Sequence, residues 1–342
     1  MPTSPLVVIA NARDNTLSVY ALEADELRPL STTPLPGSCS TFAVDEARDL
    51  LYAGVKGDPP LVLTLRLDRA DGVLTEVARR PVPAPQTYLT LARDGGLLLG
   101  VSYAGDWGGV WPVAEGQLGA PASELRYAHP HCVIATADAR HAYVVSLGAD
   151  VVAQYALAPD GTLTPLDPPT VAAPAGSGPR HLVLDAAERN AYLVTEFSGE
   201  VIRLDRDGAG RLTAAEAASI IDPDAGLRPS RLGADPRAEH LVWGADVHLA
   251  GGERFVLASE RTASTLATLE LDAAGRLGAM VALRATEAQP RGFTVTRGGD
   301  RVVVVGELAT DAALYRVEPD GALTDLHHVD AGRGANWVRV IE

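Results

Sequence analysis

The sequence predicts an all-β fold built from repeated sheets of four antiparallel strands, and two observations support this prediction. A repeated sequence segment, called the phrase below, consists of a polar residue, a short strand, a tight turn, a second strand and another polar residue. It recurs over residues 131–146, 181–196 and 246–261, and with one extra residue over 291–307. Composition agrees, because 33 glycines and 24 prolines supply many turns, whereas aromatic residues make up only 5%. Each hairpin returns the chain to its starting edge, so both ends of a phrase meet at one edge of a sheet.

The period of the repeat predicts the blades of a propeller. Inner hairpin turns are predicted near residues 47–48, 94–95, 138–139, 188–189, 251–252 and 298–299, mostly 44 to 50 residues apart. Each second strand is followed by an alternating segment that typically ends in a second turn, for example the Asp-Gly pairs at residues 71–72, 160–161 and 320–321. Four strands per repeat is the unit of a β-propeller blade. The longer gap before residue 251 predicts an inserted loop over residues 219–241.

The two ends of the chain are expected to share one blade. Six full repeats run from about residue 40 to residue 331, and strands over residues 6–10, 16–22 and 27–33 look like the last three strands of a seventh. Its first strand is predicted over residues 336–341. Pairing of the N-terminal strands with this C-terminal strand closes the ring and hides an otherwise exposed sheet edge. We therefore expect one domain over residues 1–342, a seven-bladed β-propeller.

Charge and cysteine content exclude several classes of function. The formal net charge of −15 argues against binding to nucleic acid or to an anionic membrane, since both require an excess of Lys and Arg on one face. Cys39 and Cys132 are too few for a disulfide framework in a chain of this length. The N-terminus lacks the pattern of a signal peptide, and no run of about 18 apolar residues occurs. We expect a cytoplasmic monomer with a small-molecule partner.

Propeller geometry predicts where the polar ends of the phrases meet. The first strand of each blade lines the central channel, and its start lies on the same face as the end of the second strand. One mouth of the channel should therefore be ringed by Lys56, Tyr88, Tyr103, His131, Ser146, Arg180, His181, Glu196, Asp246, Arg261, Arg291 and Glu307. Such a concentration of His, Arg, Glu and Tyr predicts a pocket for a small anionic substrate.

Several of these segments carry a family resemblance. The sequences at 176–181 (GSGPRH), 195–196 (TE), 245–248 (ADVH), 260–264 (ERTAS) and 289–293 (QPRGF) occur in family order. With similarity over the whole chain, they resemble the propeller lactonase family, which contains bacterial 6-phosphogluconolactonases and fungal carboxymuconate-cyclising enzymes. The resemblance implies a seven-bladed propeller that acts on a lactone, by hydrolysis or by the ring-closing reverse reaction, with no obligatory metal. It does not identify the lactone.

The resemblance also assigns residues. It implies active-site roles for His131, Arg180, Glu196 and Arg261, with Arg291 and His181 beside them. Two positions depart from close bacterial relatives, since Tyr88 replaces a histidine and Glu260 replaces an aspartate. A tyrosine donates a hydrogen bond but cannot take up a proton near neutral pH, so the departure at Tyr88 bears on substrate choice.

The chemistry of lactone hydrolysis suggests a role for each group. Water must lose a proton to a base, and positive charge must meet the developing oxyanion. Glu196 or His131 is the candidate base, and Arg180 or Arg261 the candidate oxyanion group. We expect Arg291 to hold a phosphate or carboxylate at the far end of the substrate. The remaining candidate substrate-binding residues are Tyr88, Tyr103, His181, Asp246, His248 and Glu307.

Alternative interpretations accompany these assignments. Carboxymuconate cyclisation would use the same groups, with arginines on the carboxylates and His131 or Glu196 handling the proton. Arg261 and Glu196 also suit a purely structural ion pair between blades. His129, His131 and Cys132 provide no regular set of metal ligands, so neither a metal nor a cofactor is expected. A non-catalytic binding platform stays possible for any propeller, although a buried His, Arg and Glu cluster favours an enzyme. Finally, the loop over residues 219–241 is expected to cover part of the pocket.

Overall fold

A computed structural model describes residues 4–342 and confirms the seven-bladed propeller. Residues 1–3 of the predicted single domain lie outside the described part. The sheets of the first three blades comprise Cys39–Asp45, Leu50–Val55, Leu61–Leu67 and Leu74–Pro81; Tyr88–Ala92, Leu97–Ser102, Trp107–Ala114 and Gln117–Leu118; and Pro130–Ala135, His141–Ser146, Val151–Leu157 and Leu163–Ala172. In the second blade a further short strand, Ser123–Leu125, also pairs with the third strand. The outer edge of that blade is therefore split.

The next three blades have the same order of strands, from the channel outwards. They comprise Pro179–Leu184, Asn190–Thr195, Glu200–Arg206 and Leu212–Ser219; Gly244–Ala250, Phe255–Glu260, Thr265–Leu271 and Leu277–Ala285; and Pro290–Val295, Arg301–Gly306, Asp311–Val317 and Leu323–Asp330. The second strands are buried along their whole length in most blades, because they face neighbouring blades on both sides. The outermost strands alternate between covered and exposed residues, since only one face packs inwards. The apolar core thus lies between adjacent blades.

The seventh blade closes the ring as predicted. Ala335–Ile341 forms its innermost strand and pairs antiparallel with Leu6–Asn11, which is followed by Thr16–Glu23 and Glu26–Pro34. The Trp337 indole donates a hydrogen bond of 2.9 Å to the backbone oxygen of Phe42 and so ties this blade to the first. The closing strand therefore also contributes to the wall of the channel.

A β-bulge recurs at the start of the innermost strand and corrects the register of the repeated phrase. The pairing register shifts around Ser40, His131, Arg180, Ala245 and Arg291. Each of these positions is followed 16 residues later by a residue that leaves the second strand: Lys56, Leu147, Glu196, Arg261 and Glu307. The two ends of the phrase are therefore 16 positions apart, and the extra residue noted in the sixth blade is the rule. The predicted spacing of 15 positions began one residue late in the fourth and fifth blades, and in the third it ended at Ser146 instead of Leu147.

The insertion between the fourth and fifth blades contains a 3-10 turn, Pro223–Ala225, and one short helix, Pro236–Glu239. Ile220 and Ser230 donate backbone hydrogen bonds to Gly199 and Phe197 in the loop that follows Glu196. The insertion therefore lies at the predicted mouth of the channel. In residues 4–342, no helix is long and apolar enough to cross a membrane.

Candidate active site

A pocket of about 430 Å³ opens at the mouth where the bulges lie. It is lined by Ser40, Lys56, Pro85, Gln86, Thr87, Tyr103, Ala104, His131, Glu196, Trp243, Arg261 and Arg291. Five of the predicted site residues therefore meet here, namely Tyr103, His131, Glu196, Arg261 and Arg291. Residues 219–241 do not line it, so the expectation that the insertion covers the pocket is wrong; the insertion instead leads into Trp243.

Glu196 lies between two buried arginines. Its Oε2 atom is 2.8 Å from Nε of Arg180 and 2.9 Å from Nη2 of Arg261. Burial alone would raise the pKa of Glu196, but the charges of Arg261, Arg180 and Arg291 outweigh it and lower the pKa. The carboxylate is therefore ionised at neutral pH, and it offsets part of the charge of the two arginines.

Arg261 is fixed by contacts with the segment that contains Trp243 and Gly244. Its Nε and Nη2 atoms donate to the backbone oxygens of Trp243 and Gly244, and its guanidinium stacks 3.8 Å from the centroid of the Trp243 ring. Burial lowers the pKa of Arg261 to about 9, despite the opposing charge of Glu196, so the group remains a cation at neutral pH. Among residues 4–342, none accepts a hydrogen bond from Nη1 of Arg261. This nitrogen is available to a bound molecule.

Trp243 is held in turn from two sides. Its indole donates to Oε1 of Glu196 at 3.3 Å, and its backbone nitrogen donates to Oε1 of Glu260 at 2.7 Å. Glu260 also accepts hydrogen bonds from the backbone of Thr262 and Ala263. The residue that departs from the family pattern at position 260 therefore supports the turn that carries Arg261 and does not face the pocket.

Two further cations, Arg291 and Lys56, line the pocket. Arg291 contacts Glu307 at 3.2 Å through Nη1, while Glu307 also accepts a hydrogen bond from Gln289. Lys56 lines the same side and forms no salt bridge within residues 4–342. Burial and then the charge of Arg291 lower the pKa of Lys56, which indicates that two cations share a small space. Their mutual repulsion would be relieved by an anion bound between them.

His131 presents a neutral imidazole to the pocket. Its side chain is 5% exposed, and its Nδ1 atom is buried without a hydrogen-bond partner in the described chain. Burial and the charges of Arg180, His181, Arg291 and Arg261 hold its pKa well below the usual value of 6.5. The ring packs edge-on against Tyr103, with 5.9 Å between centroids. His131 is thus a buried, neutral imidazole that forms no hydrogen bond within residues 4–342.

Four predicted substrate-binding or mouth residues lie below the pocket. His181 and Asp246 follow the bulge positions Arg180 and Ala245 by one residue, which moves them deeper along the channel, and Tyr88 holds the equivalent place in the second blade. The Tyr88 ring is 5.2 Å from that of His181. His248 lies further down and packs on Phe293. These residues form the floor and do not line the pocket, so a direct role in substrate binding stays a prediction for them.

Sequence reasoning missed part of the lining. Lys56 was placed at the mouth but not among the site residues, although it is the only lysine in the chain. The bulge register supplies the missing signal for Ser40 and Thr87, which are equivalent to His131. Trp243, Gln86 and Pro85 belong to connecting loops, where no periodic pattern exists to locate them.

The predicted absence of a metal stays untested. Among residues 4–342, one group has the spacing of metal ligands, namely Glu287, Asp311 and His328 on the outer part of the sixth blade. His328 already forms hydrogen bonds with Asp311 and Asp325, which explains why these carboxylates gather there. His129, His131 and Cys132 do not form such a group.

Comparison with known proteins agrees with the fold. The family model described as "Lactonase, 7-bladed beta-propeller" matches residues 6–340. The chain belongs to this family. Among its relatives, the 6-phosphogluconolactonase of Sodalis glossinidius is 31% identical and that of Serratia proteamaculans 28% identical, each over 98% of both chains.

Two solved structures share the fold. The periplasmic gluconolactonase of Pseudomonas aeruginosa superposes with a TM-score of 0.87 at 24% identity, and a protein from Lactobacillus plantarum with 0.86 at 22% identity. Each covers 99% of both chains. At these identities the likeness concerns the fold, and it supports the ring of seven blades around the channel.

Proposed function

We propose that the protein hydrolyses a sugar lactone, with 6-phosphogluconolactone as substrate and 6-phosphogluconate as product. The charge of the pocket carries this proposal, because Lys56, Arg261 and Arg291 line it together with one carboxylate, Glu196, in a chain of net charge −15. A cationic pocket in an acidic protein selects an anionic substrate. Relatives named 6-phosphogluconolactonase match over nearly the whole chain and support the choice of lactone.

Lys56 and Arg291 bind the phosphate in this proposal. Arginine offers a planar fork of donors to phosphate oxygens, and lysine adds a compact point charge. Glu307 and Gln289 hold Arg291 from behind, which leaves part of its guanidinium facing the pocket. Binding a doubly charged phosphate here also removes the repulsion between the two cations.

The lactone carbonyl lies against Arg261 at the other side of the pocket. Its free Nη1 atom donates to the carbonyl oxygen and stabilises the negative charge that develops when water attacks. Glu196, shared between Arg180 and Arg261, fixes the direction of this guanidinium before substrate arrives. Preorganised charge of this kind costs no reorganisation during the reaction.

Of the two candidate bases, we assign His131 to accept the proton of the attacking water. Glu196 has Oε2 shared by two arginines and Oε1 facing the Trp243 indole, so three of its four lone pairs are in use, and its lowered pKa makes it a weak base. His131 is neutral and forms no hydrogen bond within residues 4–342; its Nδ1 atom is buried, so Nε2, which is not, is the nitrogen that we assign to the water proton. The phosphate of the substrate offsets the charge of Arg291, one of the groups that depress the pKa of His131, and so makes the imidazole more basic in the complex.

Turnover of three candidate substrates tests the proposal. Freshly prepared 6-phosphogluconolactone, unphosphorylated gluconolactone and carboxymuconate are supplied to the purified protein and to the His131→Gln variant. We expect the phosphorylated lactone to give the highest kcat/KM, and the variant to lose about 10²- to 10⁴-fold in kcat. Faster conversion of carboxymuconate would identify a cyclising enzyme, and no turnover above the spontaneous rate with any substrate would rule out the activity.

We also propose a cytoplasmic monomer. The substrate assigned here is a phosphorylated metabolite, which supports a cytoplasmic location, although the relative from Pseudomonas aeruginosa is named a periplasmic enzyme. Cell fractionation tests the location. Light scattering of the purified protein tests the oligomeric state, for which a mass near 35.8 kDa is expected.

A further inference from the structure

His181 connects the floor of the channel to the site above it. One ring nitrogen, Nδ1, is 2.7 Å from Oδ1 of Asp246, and the other, Nε2, is 3.1 Å from Nη1 of Arg180. A guanidinium nitrogen only donates hydrogen bonds, so Nε2 of His181 must be the acceptor. The ring proton is therefore on Nδ1 and is donated to Asp246. The two contacts together fix one neutral tautomer.

The same chain of contacts continues to the reacting groups. Arg180 donates through Nη1 to the backbone oxygen of Ala245 as well as to His181, and through Nε to Glu196. Its side chain is 1% exposed, so it has no water to replace a lost partner. Glu196 in turn contacts Arg261. The order Asp246, His181, Arg180, Glu196 and Arg261 is thus a continuous series of hydrogen bonds and ion pairs from the floor to the pocket.

We propose that His181 and Asp246 are positioning residues, which hold Arg180 and Glu196 in place through a single neutral tautomer of the His181 ring. This inference rests on the proposed function for its effect on catalysis, but its structural part does not. It replaces a direct role in substrate binding for both residues. If Nε2 carried the proton, two N–H groups would face each other and Arg180 would lose its contact.

The surroundings of His181 favour the neutral ring. Groups that face it are Arg180, Asp246, His131, Tyr88 and Trp337, with His248 on the far side of Asp246. Burial and then the charge of Arg180 lower its pKa to about 3, against the opposing effect of Asp246. Burial raises the pKa of Asp246, but its contacts with His248 and His181 hold that pKa well below its usual value, and the contact with the neutral His181 ring is a hydrogen bond that favours the ionised carboxylate.

Nitrogen NMR of the wild-type protein provides a test that needs no substrate. We expect the His181 ring to be in the Nδ1–H form and not to titrate between about pH 5 and pH 8. We also expect a slowly exchanging Nε–H signal from Arg180. An Nε2–H tautomer, or titration with a pKa near the free value of about 6.5, would overturn the proposal.

Two substitutions then test the contacts of the two ring nitrogens of His181 separately. Asparagine can keep the contact at the Nδ1 position with Asp246 but offers Arg180 no acceptor, whereas glutamine can keep the acceptor at the Nε2 position. We expect His181→Asn to lose the Nε–H signal of Arg180 and to lower kcat about 10- to 100-fold with KM unchanged. Losses of this size are typical when a residue that only orients a functional group is replaced, as is known for the residues that orient metal ligands. His181→Gln should keep the signal and stay within about tenfold of the wild type.

Tyr143→Phe is the matched control, because it removes two hydrogen bonds of 2.7 Å away from the channel, one donated by the Tyr143 hydroxyl to Gly210 and one accepted from Nε of Arg206. It should leave kcat within about twofold of the wild type. Equal losses in His181→Asn and His181→Gln, with the Arg180 signal present in both, would contradict the positioning role. If the wild type hydrolyses no lactone, the proposed function fails, while the tautomer and the Arg180 signal still decide the geometry.

Discussion

The fourth and sixth blades each place an arginine at the bulge and a glutamate 16 residues later, yet the two pairs differ. Arg180 and Glu196 are 2.8 Å apart with side chains 1% and 14% exposed, whereas Arg291 and Glu307 are 3.2 Å apart and 27% and 18% exposed. One residue further along the strand, the fourth blade has His181 and the sixth has Gly292. Arg180 therefore has an acceptor beneath it, and Arg291 does not.

This difference shows that the same β-bulge can have two roles. A bulge turns the side chain towards the channel, and the next residue decides whether that side chain is fixed or left open. A side chain at position 292 would also collide with the backbone oxygen of Asn336, so the close approach of the seventh blade requires glycine there. The buried pair thus suits electrostatic preorganisation, and the open pair suits capture of a charged ligand.

Loss of the carboxylate should destabilise the buried pair far more than the open pair, and this is the largest difference that we expect between them. Glu196→Gln leaves Arg180 and Arg261 without their counterion in a buried place, so we expect a loss of about 3 to 5 kcal/mol in unfolding free energy and of about 10²- to 10³-fold in kcat. Glu307→Gln is the matched change at the open pair and should cost about 1 kcal/mol or less. Denaturant unfolding and lactonase kinetics measure both. Equal losses would show that the two pairs do not differ in kind.

Substitution of the open cations should change substrate selection and leave the fold intact. Arg291→Ala and Lys56→Met each remove a group assigned to the phosphate, so KM for 6-phosphogluconolactone should rise about 10- to 100-fold with little change in kcat. Kinetics with gluconolactone serve as the control, because that substrate has no phosphate to lose. A parallel rise in KM for both lactones would place the phosphate elsewhere.

Gly292→Ala tests the steric part of the comparison. The added methyl group would meet the backbone of Asn336, and we expect the sixth and seventh blades to separate slightly at a cost of about 1 to 3 kcal/mol. Gly208→Ala is a control, since a side chain there has no neighbour within 4 Å. Thermal unfolding compares the two variants. A Gly292→Ala protein as stable as the control would show that the close approach is not tight.

The smallest predicted effect is on the pH dependence of stability. His131 and His181 have folded pKa values below those of the unfolded chain, so the unfolded state binds more protons as pH falls below about 6.5 and stability declines. His131→Gln should reduce this decline by up to about 1.4 kcal/mol per pH unit. His328 has a raised pKa, mainly through hydrogen bonding to Asp325, so it stabilises at low pH and His328→Gln should change the slope in the opposite direction. Urea titrations between pH 4 and 7 compare the slopes, and identical slopes for both variants would contradict these signs.

The fold was largely predictable, because Asp-Gly turns and alternating strands repeat with one period and the ring closure follows from the unpaired ends. The site was predictable only to within one residue. Periodicity in the sequence does not mark a bulge, so His181 and Asp246 were expected at the mouth, although Arg180, which was expected there too, and Ala245 hold the bulge positions. Trp243 shows a further limit, since it reaches the site from the end of an aperiodic insertion. Its stacking on Arg261 depends on the approach of two blades that are remote in sequence.

Ring closure has a consequence for biosynthesis. Trp337 lies against the rings of His181 and Tyr88, so the floor beneath the pocket includes a residue from the last of the described strands to be synthesised. Leu6–Asn11, by contrast, is the first of these strands and lacks its partner until the six intervening blades have been synthesised. A truncated translation product would thus carry nearly all of the charged groups of the site, but neither a sealed channel nor a covered edge.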